Sequence, residues 1–90
     1  MAKWIKINGI LDVEPKNGKD FSLEELQQYV GGYIQIVDLG KECLVINEEG
    51  KLHNLPINIT ATNIAHDAGA LFLGDYIVGN VLRCDRKQIK

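Results

Sequence analysis

Two cysteines and two histidines are the side chains of this 90-residue chain best suited to covalent or metal chemistry. Cys43, Cys84, His53 and His66 would supply the four donors of a tetrahedral zinc site. Their placement argues against one, because none of the paired ligand spacings of zinc sites occurs. Cys43 lies inside an alternating apolar run, where a free cysteine behaves as a small hydrophobe. A thiol beside a histidine would make a nucleophile and its base, but nothing in the spacing brings such a pair together. Glu48-Glu49 is a carboxylate pair in a glycine-containing turn, where carboxylates are ordinarily solvated. Ser22 is the one serine, and its place before a helix is accounted for by capping. There is no G-x-S-x-G, no phosphate loop, no H-E-x-x-H and no dinucleotide fingerprint. The expectation is a protein that is not an enzyme, with no catalytic residue, no metal and no cofactor.

A second set of residues suits binding rather than catalysis. The segment "NEEGKLHNLPINITATN" holds Asn47, Asn54, Asn58 and Asn63, with Asn80 further on. Asparagine, like Thr62 nearby, offers both donors and acceptors to the edge of a base or ribose. Tyr33, Phe72 and Tyr76 present faces on which a base can stack. Each of these has a structural reading as well, since asparagine and threonine shape turns and caps and aromatic rings fill cores. Twelve acidic against ten basic residues leave a formal charge of −2. That is too small for nonspecific DNA or RNA binding and too small for an acidic mimic of a duplex. The closing "RCDRKQIK" is locally basic and reads as a solvated tail. No apolar run reaches the ~18–20 residues that span a bilayer, and the N-terminus lacks the pattern of a signal peptide. A cytosolic protein with reduced cysteines is expected.

These residues need elements to hold them. Ninety residues make one domain. "WIKINGILDVE" reads as a hairpin over 3–14, with Asn8-Gly9 supplying the positive φ angles of a tight turn. "FSLEELQQYVGG" reads as a helix over 22–30. Ser22 and Glu25 form a capping box, Phe21 packs on Leu26, and Leu23, Leu26 and Val30 share a face. Gly31 takes the left-handed position that ends a helix. Gly32 is not needed by the cap, and its missing side chain would let another backbone or a ligand come close. The alternating runs over 33–48 are apolar on both faces and read as central strands joined by a short connection at 39–42. A second helix is expected over about 58–67, and one or two C-terminal strands over 71–84. The whole is an α+β fold, an antiparallel-rich sheet of about five or six strands with two short helices on one face.

In order, "EELQ…VGGYI", "NEEGK", "LP-N--AT" and "IVGNVL" resemble a family of small phage and prophage proteins catalogued as a domain of unknown function. The likeness runs from about Ile5 to Cys84, with "LHN" and "HDAGALFL" as variable parts. The resemblance implies origin in a mobile element and action in the cytoplasm of a bacterial host cell. By analogy of size and origin, it points to an anti-defence protein, a sponge that sequesters a nucleotide immune signal such as a cyclic ADP-ribose variant or a cyclic dinucleotide. Such a sponge would be a homo-oligomer with its pocket near a subunit interface. The ligand-binding residues would then be Gly32, Tyr33, Asn47, Lys51, Asn54, Asn58, Thr62, Arg83 and Arg86. Tyr33 would stack, the asparagines and Thr62 would meet base or ribose edges, and Lys51, Arg83 and Arg86 would meet phosphate. The alternatives are an inhibitor that occludes a surface of a host defence enzyme, needing an exposed apolar patch or sheet edge, and a structural or accessory phage protein. A cysteine-based enzyme is a third.

Overall fold

The computed structural model describes residues 2–90. Strands β1 (Ala2–Lys6) and β2 (Gly9–Val13) form the N-terminal hairpin, and helix α1 (Leu23–Val30) follows. β3 (Ile34–Asp38) and β4 (Glu42–Asn47) form a second hairpin, followed by α2 (Ile59–Asp67) and β5 (Val81–Asp85). The five strands make one antiparallel sheet in the order β2-β1-β5-β4-β3.

Local chemistry accounts for α1. The Ser22 hydroxyl accepts from the Glu25 N–H at 3.2 Å, and the Glu25 carboxylate accepts from the Ser22 N–H at 3.0 Å. Both bonds satisfy donors that the first helical turn leaves free. Gly31 ends the helix at φ 82°, and its N–H bonds the Gln27 carbonyl. Phe21, Leu26 and Val30 are buried, whereas Leu23 is exposed and does not share their face toward the sheet.

The helices lie on opposite faces of the sheet, not on one. Cys43, Val45, Leu82 and Cys84 pack with Phe21, Leu26 and Val30 on the α1 side. Leu44 and Val81 pack with Ala61, Ala65 and Ile77 on the α2 side. Successive residues of a strand point to opposite faces, so strands apolar at every position require a cover on each side. The expectation of a single covered face overlooked this consequence.

Three further expectations are corrected. β3 is an edge strand, with Tyr33 beside it and Ile36 within it exposed; the central position belongs to β5. Residues 71–80 contain no strand, only one bridge between Ile57 and Val78. Side chains of α2 and neighbouring loops take up their backbone groups instead. In the first hairpin the loop residues are Ile7 and Asn8, at negative φ, so Asn8-Gly9 is not a turn with two positive angles.

The C-terminal residues are tied down rather than frayed. A 3₁₀ turn at Arg86–Gln88 is capped by Asp85. The Phe21 N–H then donates to the Gln88 carbonyl at 2.7 Å, and the Lys90 N–H to the Phe21 carbonyl at 3.2 Å.

Candidate functional site

A groove of about 480 Å³ runs along the open edge of the sheet on its α2 side. One wall is β3 and β4, through Val37 and Ile46; the other is the loop of residues 70–78, with Leu52 at the end. Leu52, Phe72 and Tyr76 line it and remain exposed, and the exposed Ile36 side chain lies on the other face of the same edge strand. Leu73 next to Phe72 is fully exposed. The charged groups are Asp38, Glu48, Asp75 and Lys51. Lys51 is already engaged, with its Nζ 2.6 Å from Asp75 Oδ1 and 4.3 Å above the Tyr76 ring. The Lys51 hydrogen bond and then the Tyr76 N–H hold the Asp75 carboxyl below its ordinary range.

The loop carrying Phe72 and Leu73 is built rather than loose. His66 Nε2 donates to the Asp75 carbonyl at 2.8 Å, the tautomer that a carbonyl partner requires. Thr62 Oγ1 accepts from the Ile77 N–H at 2.9 Å, and the Asn58 N–H donates to the Ile77 carbonyl at 2.8 Å. The Gly79 N–H reaches the Pro56 carbonyl at 2.8 Å. A base fixed by four hydrogen bonds to α2, its cap and the loop before it thus displays a phenylalanine 88% exposed and a leucine 100% exposed. Contiguous exposed apolar surface on a small domain marks a place where something else binds.

A family model described as a domain of unknown function (DUF3846) matches residues 6–89. The chain belongs to the DUF3846 family. No curated protein and no solved structure matches it.

In this DUF3846 chain Gly32, Tyr33 and Asn47 of the residues expected to hold a nucleotide come together, and the other six do not join them. Gly32 does permit a close approach, but of the protein's own atoms: a Cβ there would lie 3.1 Å from Asn47 Nδ2. Asn47 is buried, donates to the Val30 carbonyl at 3.1 Å and accepts from the Glu49 N–H at 2.9 Å, so it locks the helix end to β4. Tyr33 is exposed beside it, over a shallow dish of about 250 Å³ that also includes His53 and Glu49. Asn58 is sealed in the core, capping α2 through Ala61 N–H and donating to the carbonyls of Ile5 and Gly79. Thr62 is occupied with Ile77. Asn54 holds φ 54° in an exposed turn, the one non-glycine described residue at positive φ.

The cations are separated too. Arg83 bonds Glu42 at 2.9 Å on the α2 side of the sheet, and Arg86 faces Asp38 at 3.5 Å. Arg83 Nε is the one buried side-chain polar atom among the described residues without a hydrogen-bond partner. Cys43 and Cys84 stand directly opposite across β4 and β5 with their sulfurs 3.9 Å apart, both fully buried. Contact with the Cys43 sulfur and burial push the Cys84 thiol far above the ordinary range. Each cysteine therefore neighbours the other rather than a histidine. Among the described residues no group of three or more potential ligands is clustered for a metal, and no helix is long and apolar enough to cross a membrane.

Sequence reading named Phe72, Tyr76 and Lys51 as base-stacking and phosphate residues. It missed Ile36, Leu52, Leu73 and Asp75. The available signal was "LFLGD", three consecutive apolar residues before a glycine break, which fits neither strand alternation nor a helical stripe.

Proposed function

We propose that this DUF3846 domain is a non-catalytic binding module whose ligand is another protein. One observation carries the reading: Phe72 and Leu73 stand in solvent on a hydrogen-bonded loop, beside a groove and an open strand edge. Exposed aromatic and aliphatic anchors on a pre-formed support are what a protein interface uses, since little ordering is left for binding to oppose. The sequestration of a nucleotide draws less support. The groove's one ammonium is held by Asp75, Asp38 is faced by Arg86, and the charge left over is the Glu48 carboxylate. Phosphate oxygens would meet repulsion there. In the bacterial cytoplasm that the sequence resemblance suggests, such a module would act by covering part of a host enzyme.

Two measurements on the purified protein test this reading. The first compares what wild type and the Phe72→Ser/Leu73→Ser double variant retain from a bacterial lysate, then repeats the binding with the purified partner by calorimetry. A partner bound by wild type and lost by the double variant, with melting temperature unchanged, is the expected result. The second incubates wild type with a panel of cyclic and ADP-ribose nucleotides and heats it to release ligand. Intact recovery of a nucleotide, or equal retention of the partner by the double variant, would overturn the proposal.

A further inference from the structure

The open edge of β3 has a defined hydrogen-bonding face. The Tyr33 carbonyl accepts from the Glu48 N–H at 2.8 Å, and the Leu39 N–H donates to the Glu42 carbonyl at 3.0 Å. Between these bonds the register runs unbroken from Ile34↔Asn47 to Asp38↔Cys43. In an antiparallel pair, residues alternate between directing both backbone groups at the partner strand and directing both away. Gln35 and Val37 therefore face β4, and the N–H and C=O groups of Ile34, Ile36 and Asp38 face outward. The strand, "IQIVD", has no proline, lysine or bulge, three of the devices that blunt an edge, and its one charge is Asp38 at the end.

We infer that β3 receives an extended segment of the partner protein as a sixth strand, apolar at its centre and cationic at the flank that passes Glu48. The inference rests on the reading above that the ligand is a protein. The outward groups of Ile34, Ile36 and Asp38 supply main-chain hydrogen bonds to the added strand. Alternate side chains of that strand fall on the two faces of the sheet. On the α2 side they enter the groove between Val37 and Phe72; on the α1 side they lie beside Ile36, which is 43% exposed. Charge selects that flank. Lys51 engages Asp75 and Arg86 faces Asp38 at 3.5 Å, so among the described residues Glu48, just after β4, is the groove carboxylate outside any ion pair. A basic side chain meets attraction where the added strand passes Glu48, and an acidic one meets repulsion.

The test uses a synthetic probe, acetyl-Lys-Ile-Val-Ile-Lys-Val-Lys-amide, and its counterpart with glutamate at each lysine. Backbone amide exchange of the full chain is followed by NMR with each peptide. The lysine peptide is expected to slow exchange of the Ile34, Ile36 and Asp38 amides by about tenfold or more and leave Gln35 and Val37 unchanged; the glutamate peptide should do neither. Ile36→Pro removes an outward N–H and no ladder bond, so it is tolerated at an edge and should abolish the effect. Glu48→Lys, which leaves the β3 backbone intact, should weaken the lysine peptide and not the glutamate one. Protection of Phe72 and Leu73 without the three amides overturns the added strand while leaving a protein ligand in place. No perturbation anywhere, or protection of the three amides in the peptide-free chain with the mass of a dimer, overturns it as well. The first of these two results also removes support for the groove as a protein site.

Discussion

Asn58 is the residue whose role differs most between sequence and structure. As a letter in "NITAT" it is a polar group available to a ligand; in the fold it is 1% exposed and joins three segments. Its Nδ2 donates to the carbonyls of Ile5 and Gly79, both at 2.9 Å, and its Oδ1 accepts from the Ala61 N–H at 3.0 Å. Asn58→Ala leaves two carbonyls and one N–H buried without partners, and should destabilise by about 3 kcal/mol. Asn58→Asp separates the roles. A carboxylate keeps the cap but faces two carbonyls, so the loss in urea melts should be at least as large; a loss of a few tenths would mean that capping is the whole role. Glu25 gives a prediction in pH. The backbone N–H groups of Ser22 and Lys16 hold its carboxyl below the ordinary 4.5. The folded state thus gives up this proton more readily than the unfolded chain, and the unfolded chain binds more protons in between. The stabilisation is therefore complete above pH 4.5 and is lost as pH falls below it through the depressed folded value. Glu25→Gln should flatten the pH dependence of urea stability below pH 4.5, and an unchanged slope would refute this assignment. The capping box was legible in the sequence because every participant lies within three residues. The partners of Asn58 lie up to 53 residues away, and no local pattern announces them.

At the scale of elements, the same distinction decides what could be read. Helix α1 declared both ends through Ser22, Glu25 and Gly31, and its staple residue Phe21 is buried with Leu26. Strand order was not legible. β3 and β4 alternate in the same way, and only pairing with the distant β5 makes β4 internal and leaves β3 at the edge. The apolar run before β5 resembled a strand, but Thr62, His66 and the Asn58 backbone take up groups of Asp75 and Ile77 that a neighbouring strand would need. Exposure of Phe72 and Leu73 follows from that anchoring and is not a property of the residues themselves. The basic C-terminal run is solvated at Arg86, Lys87 and Lys90, as read, but its attachment was not legible for a similar reason. Its ladder to Phe21 and the packing of Ile89 against the α1-side core depend on a segment more than sixty residues earlier. Removing residues 86–90 withdraws both hydrogen bonds and uncovers Phe21, which is fully buried. The truncated chain should lose about 2–3 kcal/mol of stability. A urea midpoint equal to that of the full chain would show that the tail is only laid on the surface.

For the whole molecule, the question is whether two cores separated by a sheet behave as one unit. Each interior strand serves both: Val45 and Leu82 belong to the α1 side, and their neighbours Leu44 and Val81 to the α2 side. Backbone order in β4 and β5 is thus required by both cores at once. Loss of either core releases the strands on which the other is built. The single tryptophan, Trp4, reports on the α1 side, where its Nε1 donates to the Tyr29 carbonyl at 3.1 Å and its ring meets Tyr29 edge-on at 5.2 Å. Leu44→Ala removes buried side-chain volume only on the opposite side and should destabilise by about 2–5 kcal/mol. If the sheet couples the cores, Trp4 fluorescence should lose its native signal at the same lowered urea concentration as far-UV ellipticity, as a two-state domain requires. A variant in which ellipticity falls first while Trp4 keeps its native emission would show the α2 layer opening alone. The groove and its Phe72 loop, anchored on that layer, would then be a separately unfolding part rather than a feature of a rigid domain.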